Sequence, residues 1–242
     1  MLKNRYKNLR RFLSYRLFAA SLVIVALFAA TPFLPKEVFA ASNSNFTQTI
    51  NAGTLATDIR DNNRVAVANP SVGMSTISYP FACLTGGSRP SGTFGTNTER
   101  IYVDNPGNAN NGWTLALAAT GGATSLWQNG GSTQNYDFND PGGSGCTDGV
   151  DADTRAGQMT VDPSVGTITA DCASCVTTNI TRGASTAYNQ GTVDSITLLN
   201  AAAASDDFGR WYLTGADVDQ TIPAEQAADS YTINLTLTVT AL

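Results

Sequence analysis

The chain has 242 residues, with 14 basic and 19 acidic side chains and no histidine, and its net charge is −5. The absence of histidine excludes Ser-His-Asp and Cys-His catalysis and metal sites built from imidazole. No lysine occurs after residue 40, which excludes a lysine Schiff base, a lysine-dependent phosphate site and Lys–Asn isopeptide bonds in that part of the chain.

The first forty residues have the pattern of a secretory signal peptide. Six basic side chains between Lys3 and Arg16 precede an apolar run over residues 17–33, and Val38 and Ala40 occupy the small or apolar positions of a signal peptidase site. The sequence therefore predicts cleavage between Ala40 and Ala41. An uncleaved N-terminal membrane anchor is the alternative, although the apolar run is shorter than the roughly 20 residues that span a bilayer comfortably.

Removal of this segment makes the remaining 202 residues strongly acidic. They hold seven arginines and 18 carboxylates, a net charge of −11 (7 − 18). An acidic surface without basic clusters argues against nucleic acid and anionic lipid as partners. We expect a secreted or cell-surface protein that meets a membrane only through an uncleaved signal segment.

Strands are predicted in chain order wherever apolar and polar residues alternate between turn formers. The main ones cover residues 45–59 (broken near residue 52), 74–83, 99–104, 113–119, 158–162, 193–199, 209–213 and 231–242. The last strand places Tyr231 and Leu237 on an apolar face and threonines on the other, so it needs an opposing sheet. We predict a single all-β domain over residues 41–242, an antiparallel β-sandwich of immunoglobulin-like or jelly-roll-like form.

The four cysteines of an exported chain predict disulfides. They are Cys83, Cys146, Cys172 and Cys175, for which three connectivities exist. Because Cys172 and Cys175 are too close in sequence to fix distant strands together, we expect Cys146 to pair with one of them.

An acidic loop is the candidate site for a metal ion. Carboxylates and an amide accumulate there, at Asp137, Asn139, Asp140, Asp148, Asp151 and Asp153. Calcium takes six to eight oxygen ligands, which a flexible Asp/Gly loop can supply in a calcium-rich exterior. The alternative is a solvated turn, because Asp and Gly are common in turns.

The three tryptophans, Trp113, Trp127 and Trp211, are compatible with a carbohydrate-stacking platform or with core packing. Tryptophan at an alternating strand position usually belongs to the core, which we expect for Trp113 and Trp211. Trp127 is flanked by polar residues and is the one expected to be exposed.

Residues 112–115 (Gly-Trp-Thr-Leu), after a predicted strand and turn, resemble the first Trp-x-Leu motif of WxL domains. The resemblance implies a secreted β-rich module that attaches non-covalently to peptidoglycan, with Trp113 and Leu115 as its wall-binding motif. In the position of the second motif stand Leu235, Thr236 and Leu237, so leucine replaces the tryptophan.

Residues 46–55 (Phe-Thr-Gln-Thr-Ile-Asn-Ala-Gly-Thr-Leu) resemble the start of the mature camelysin and TasA biofilm-fibre proteins. That resemblance implies an exported β-sandwich, and some members of the family polymerise by strand donation.

Three functions are compatible with these patterns. The first is a non-enzymatic surface protein that binds cell wall polysaccharide or peptidoglycan. The second is a fibre subunit that binds copies of itself by donating residues 45–50, where Phe46, Gln48 and Ile50 share one face. In the alternative to donation, those residues form an internal edge strand. A secreted hydrolase is the third function.

Overall fold

The computed structural model describes residues 47–51, 53–107, 109, 111–149 and 153–242. Ile50–Leu242 forms one compact unit. The predicted signal peptide, with its cleavage site at Ala40 and Ala41, lies outside the described residues.

The described residues form sixteen strands. The first eight are β1 (Ala56–Arg60), β2 (Ser91–Phe94), β3 (Arg100–Pro106), β4 (Trp113–Ala119), β5 (Leu126–Asn129), β6 (Asn135–Asp137), β7 (Asn139–Asp140) and β8 (Gly157–Asp162). The others are β9 (Thr167–Ala170), β10 (Ile180–Arg182), β11 (Thr186–Ala187), β12 (Ser195–Ala201), β13 (Phe208–Thr214), β14 (Ala216–Thr221), β15 (Tyr231–Thr232) and β16 (Leu235–Ala241).

Helical structure in the described part of the chain is limited to three short 3-10 turns, at Gly86–Ser88, Gly142–Ser144 and Pro163–Val165. Among the described residues no helix is long and apolar enough to cross a membrane.

Two four-stranded sheets form the sandwich, in the orders β1-β3-β13-β9 and β10-β12-β4-β16. They meet where Trp113 of β4 contacts Trp211 of β13, with ring centroids 5.8 Å apart. A third sheet contains β11-β8-β14-β2 with β7 beside β8, and a fourth contains β15-β5-β6. The ladders are antiparallel throughout. The predicted all-β sandwich is confirmed.

Strand β4 lies between β12 and β16, and its sequence alternates as its position requires. Trp113, Leu115 and Leu117 are buried, whereas Thr114 and Ala116 are half-exposed. Each buried side chain of this size contributes roughly 1.5–3 kcal/mol relative to an exposed one. The predicted bounds of this strand and the predicted core positions of Trp113 and Trp211 are confirmed.

The C-terminal segment differs from the single strand predicted over residues 231–242. It divides at Ile233 and Asn234, so that β15 pairs with β5 and β16 pairs with β4. Leu235, Leu237 and Val239 face the core but are only half-buried. The physical reason is that β16 lies at the edge of its sheet, where no other strand of the described residues flanks its apolar row.

The predicted strand over residues 74–83 is wrong. This segment forms no ladder; Ser75 N donates to Ser91 O at 2.8 Å, which ties it to β2 at one point. Pro80 lacks an N–H group and interrupts any continuous pairing. Of the predicted strand over residues 45–59, only the part from Ala56 onward is a strand in the described residues.

The prediction that Cys146 pairs with Cys172 or Cys175 is wrong. Cys146 is bonded to Cys83, with Cα atoms 5.6 Å apart, and Cys172 is bonded to Cys175. Leu84 exchanges backbone hydrogen bonds with Ile222, directly after β14, which brings Cys83 to that strand end. The loop of Cys146 reaches the same end, because Thr221 Oγ1 donates to Ser144 O at 3.1 Å. All four cysteines are thus in disulfides.

The two disulfides should differ in what they contribute to stability. Cys83 and Cys146 are 63 residues apart, and Cys172 and Cys175 are three apart. Chain entropy therefore predicts that removing the first bond lowers the free energy of unfolding by roughly 4 kcal/mol and removing the second by roughly 2 kcal/mol. Urea unfolding of C83A/C146A and C172A/C175A measures both losses. An equal or larger loss in C172A/C175A would contradict the ranking.

Candidate functional site

An apolar groove lies on the side of the sandwich where β1 and β16 face each other, with Cα atoms within 8 Å. It has a volume of about 500 Å³. Its walls are formed by Ile59 of β1 and by Leu235 and Leu237 of β16. These residues and the floor beneath them define what we call the β1–β16 groove.

The floor of the β1–β16 groove belongs to the main hydrophobic core. Phe94, Leu117, Met159 and Val218 line it, and all four are buried side chains of the central cluster. They come from β2, β4, β8 and β14, so the groove opens into the space between the sheets. Space of this kind beside apolar side chains lowers stability because dispersion contacts are missing. An apolar occupant would therefore be stabilised here.

The irregular segment that follows β1 also lines the groove. Val72 and Met74 from this segment line the groove together with Pro70. Ser71 N donates to Glu99 Oε2 at 3.3 Å, which holds the segment beside the start of β3. Glu99 and Asp58 are the carboxylates of the groove lining, so its rim is acidic while its floor is apolar.

The backbone of β16 leaves a row of hydrogen-bonding groups directed away from β4. Two backbone hydrogen bonds continue the β4–β16 ladder beyond its ends. Thr120 N donates to Asn234 O at 2.9 Å, and Leu242 N donates to Gly112 O at 3.0 Å. Antiparallel pairs alternate between hydrogen-bonded and non-hydrogen-bonded. Residues 236, 238 and 240 therefore bond to β4, whereas residues 235, 237 and 239 direct their N–H and C=O groups outward.

No strand among the described residues pairs with that outer edge of β16. The facing strand β1 is partly closed, because Val67 N donates to Ile59 O at 2.9 Å. The open edge and the apolar row of β16 are thus next to each other, and both lack the cover that a further strand would provide.

The predicted donor segment is partly described. Residues 47–51 are exposed and outside any strand, and the Ile50 side chain is 89% exposed. Gly53 lies against Pro106 at the end of β3, since a Cβ at Gly53 would come within 2.6 Å of the Pro106 ring. Phe46 lies outside the described residues.

The acidic loop holds its carboxylates by protein contacts. Buried Asp140 accepts hydrogen bonds from Gly142 N and Gly149 N, both at 2.8 Å, and Asp153 forms an ion pair with Arg155 at 2.9 Å. Asp137 is buried beside this loop and Asp148 is exposed, while Asp151 lies outside the described residues.

The described residues contain no cluster of three or more His, Cys, Asp or Glu side chains that could hold a metal ion. Because Asp151 lies outside them, calcium binding stays a prediction from the sequence.

None of the three tryptophans offers an open face to a sugar. Trp113 and Trp211 are fully buried. The prediction that Trp127 is exposed is wrong: it is 9% exposed, stacks on Tyr136 at 6.0 Å and donates from Nε1 to Gln220 Oε1 at 2.8 Å. Its polar neighbour Gln128 faces outward on the alternating strand β5.

The resemblance to WxL domains rests on Trp113 and Leu115, which are both in the core and have no surface to present to a wall polymer. Comparison of the chain with protein-family models, with curated proteins and with solved structures finds no match. The two family resemblances and wall binding therefore stay predictions.

Sequence reasoning missed the groove itself. The alternation of Leu235 and Leu237 indicates a half-buried strand, but it is the same for a strand in the middle of a sheet and at its edge. Floor residues such as Met159 and Val218 come from distant strands, and no local pattern joins them. The signal that could have pointed to the groove is the apolar Ile50 near the predicted cleavage site, which the structure leaves exposed.

Asp140 is expected to stabilise the loop without any metal. Replacing buried Asp140 with Ala removes the carboxylate that accepts hydrogen bonds from the Gly142 and Gly149 N–H groups, and it should lower the free energy of unfolding by about 2 kcal/mol. Chemical unfolding in a chelator measures this loss. The exposed Asp207 serves as control, since Asp207→Ala should change stability by less than about 0.5 kcal/mol. A loss that appears only when calcium is present would instead assign Asp140 to a metal site.

Proposed function

We propose that this protein is a non-catalytic, secreted structural subunit whose copies assemble into an extracellular fibre. Each copy would donate its N-terminal strand to the β1–β16 groove of another copy. The observation that supports this most directly is the unpaired edge of β16 above an apolar groove that opens into the core. An added strand there gains main-chain hydrogen bonds and buries apolar side chains at once.

The length of the predicted donor suits the edge it would pair with. Residues 45–50 span about 20 Å as a strand, and the seven residues of β16 span about 24 Å. In this segment Phe46 and Ile50 share one face, which can meet the groove floor while Thr47 and Thr49 face solvent.

The donor segment is also compatible with an apolar environment because residues 41–51 contain no charged side chain. Burying an unpaired charge would cost far more than strand pairing returns. This uncharged segment stands out in a mature chain of net charge −11. The proposed cleavage at Ala40 and Ala41 would leave it as a free end with no turn tying it to a neighbouring strand.

Copies of the chain are a better supported partner than the cell wall. Wall binding through Trp113 and Leu115 would require side chains that lie in the core. The groove, in contrast, has the shape and backbone groups for a β-strand, and the chain itself contains an exposed segment with the required pattern.

A single substitution in the donor should abolish assembly without unfolding the subunit. Ile50→Asp places a charge in the segment that enters the apolar groove, so mature protein with this change should form no filaments in electron microscopy and sediment as monomer. Thr197→Asp, at an exposed residue in the middle of β12 and outside the groove lining, is the matched control and should assemble like the unmodified protein. Filaments of normal abundance from Ile50→Asp would rule out donation by this segment.

Deletion of residues 41–51 separates donation from internal pairing. The deleted protein should stay folded and monomeric. A peptide of residues 41–55 should raise its melting temperature, because at 100 times its Kd the bound peptide adds about 2.7 kcal/mol to the free energy of unfolding. Circular dichroism and calorimetry measure both. If the deletion unfolds the protein while the complete mature chain remains monomeric at high concentration, the segment is an internal strand.

A further inference from the structure

The two ends of the sandwich are distinguishable by strand register. We call proximal the end that holds Pro106, the last residue of β3, and Trp113, the first residue of β4. The two sheets are aligned there, because Trp113 contacts Trp211, which lies opposite Val103 near the end of β3. The distal end is the opposite one.

Strands β1 and β16 run in opposite directions between these ends. β1 begins at the proximal end, where Ala56 lies opposite Asp104, and runs toward the distal end. β16 begins at the distal end, where Leu235 lies opposite Ala119, and finishes at the proximal end, where Ala241 lies opposite Trp113.

The N-terminal segment leaves the sandwich at the proximal end. It joins β1 at Ala56, and Gly53 lies against Pro106. About five residues, 51–55, connect the predicted donor to its own β1 and span up to about 17 Å when extended. The body of a donating copy must therefore lie close to the point where its residue 50 ends in the acceptor.

This geometry couples the direction of the donated strand to the symmetry of the assembly. A strand antiparallel to β16 ends with residue 50 at the distal end of the acceptor, so the proximal end of one copy faces the distal end of the next. That contact is heterologous, and it repeats into an open filament unless the rotation between successive copies closes a ring.

A strand parallel to β16 would instead end with residue 50 at the proximal end of the acceptor. Two copies would then face each other by their proximal ends and exchange segments reciprocally. The resulting contact is isologous and closes into a two-fold dimer, which leaves no groove for a third copy.

Two features of the described structure favour the antiparallel direction. Its sixteen strands are joined by antiparallel ladders, including the ladder between β16 and β4. Antiparallel pairs are also slightly more stable per residue than parallel pairs, and they suit a sheet with one face exposed to solvent. The outer face of β16 is such a face, since Thr236 and Thr238 are exposed.

We infer, on the basis of the proposed strand donation, that residues 45–50 of one copy pair antiparallel to β16 of another, and that the assembly is a polar head-to-tail filament rather than a swapped dimer. Polarity follows from the fold, because the donor leaves at the proximal end and its residue 50 is held at the distal end of the next copy.

A cysteine scan tests the direction whatever the register of the donated strand. One cysteine replaces Thr236 or Thr238, and a second replaces one odd-numbered residue from Asn43 to Asn51, the row that includes exposed Thr47 and Thr49. For antiparallel pairing, the donor position that cross-links best falls by two when the β16 position rises from 236 to 238. For parallel pairing it rises by two.

The expected result is a fall of two together with a reducible ladder of multimers on non-reducing gels. A rise of two, or a product that stops at the dimer, overturns the inferred direction while leaving strand donation intact. If no pair links two copies, or if the link forms within one chain, donation itself fails and the inference fails with it. Thr181→Cys, on the exposed face of the edge strand β10, is the matched control and should link to no donor position.

Discussion

The packing of Trp113 on Trp211 is the contact on which the arrangement of the two main sheets depends. Both side chains are fully buried, and they come from β4 and β13, which each have a neighbouring strand on both sides. A pair of this size fixes the alignment of the sheets at one end of the sandwich. With that alignment set, the edge strands β1 and β16 are brought opposite each other, and the space between them becomes the groove.

The two open sides of the sandwich differ in how far protein contacts close them. On the side of β9 and β10, the Arg182 guanidinium donates to Gly166 O and joins β10 to the turn before β9. The chain also passes directly from β9 to β10 there, across the Cys172–Cys175 disulfide. On the other side, β1 and β16 share no ladder in the described residues. An unprotected edge invites pairing with another chain, and proteins usually cover such edges. The uncovered edge of β16 is therefore the candidate functional surface.

Sequence patterns predicted the parts of this fold that depend on local alternation. Strand β4 was predicted with its bounds because every second residue faces the core and Gly112 limits it at the start. Features set by distant contacts were not predictable: the Cys83–Cys146 bond depends on the bridge between Leu84 and Ile222, and burial of Trp127 depends on Gln220 of β14. No local sequence pattern shows that β16 lacks a neighbouring strand, because an edge strand and a central strand can have the same alternation of apolar and polar residues.

Charge decides which forces can hold the proposed filament together. Residues 41–242 carry a net charge of −11, so copies of this part of the chain repel one another at distances up to a Debye length of about 8–10 Å, and long-range electrostatics oppose assembly. Residues 41–242 contain no lysine from which an isopeptide bond could reinforce the contact. Cohesion must then come from the short-range terms that a strand in a groove supplies: backbone hydrogen bonds to residues 235, 237 and 239, and apolar burial on the floor formed by Phe94 and Met159. An uncharged donor in an otherwise acidic chain is what such a contact requires.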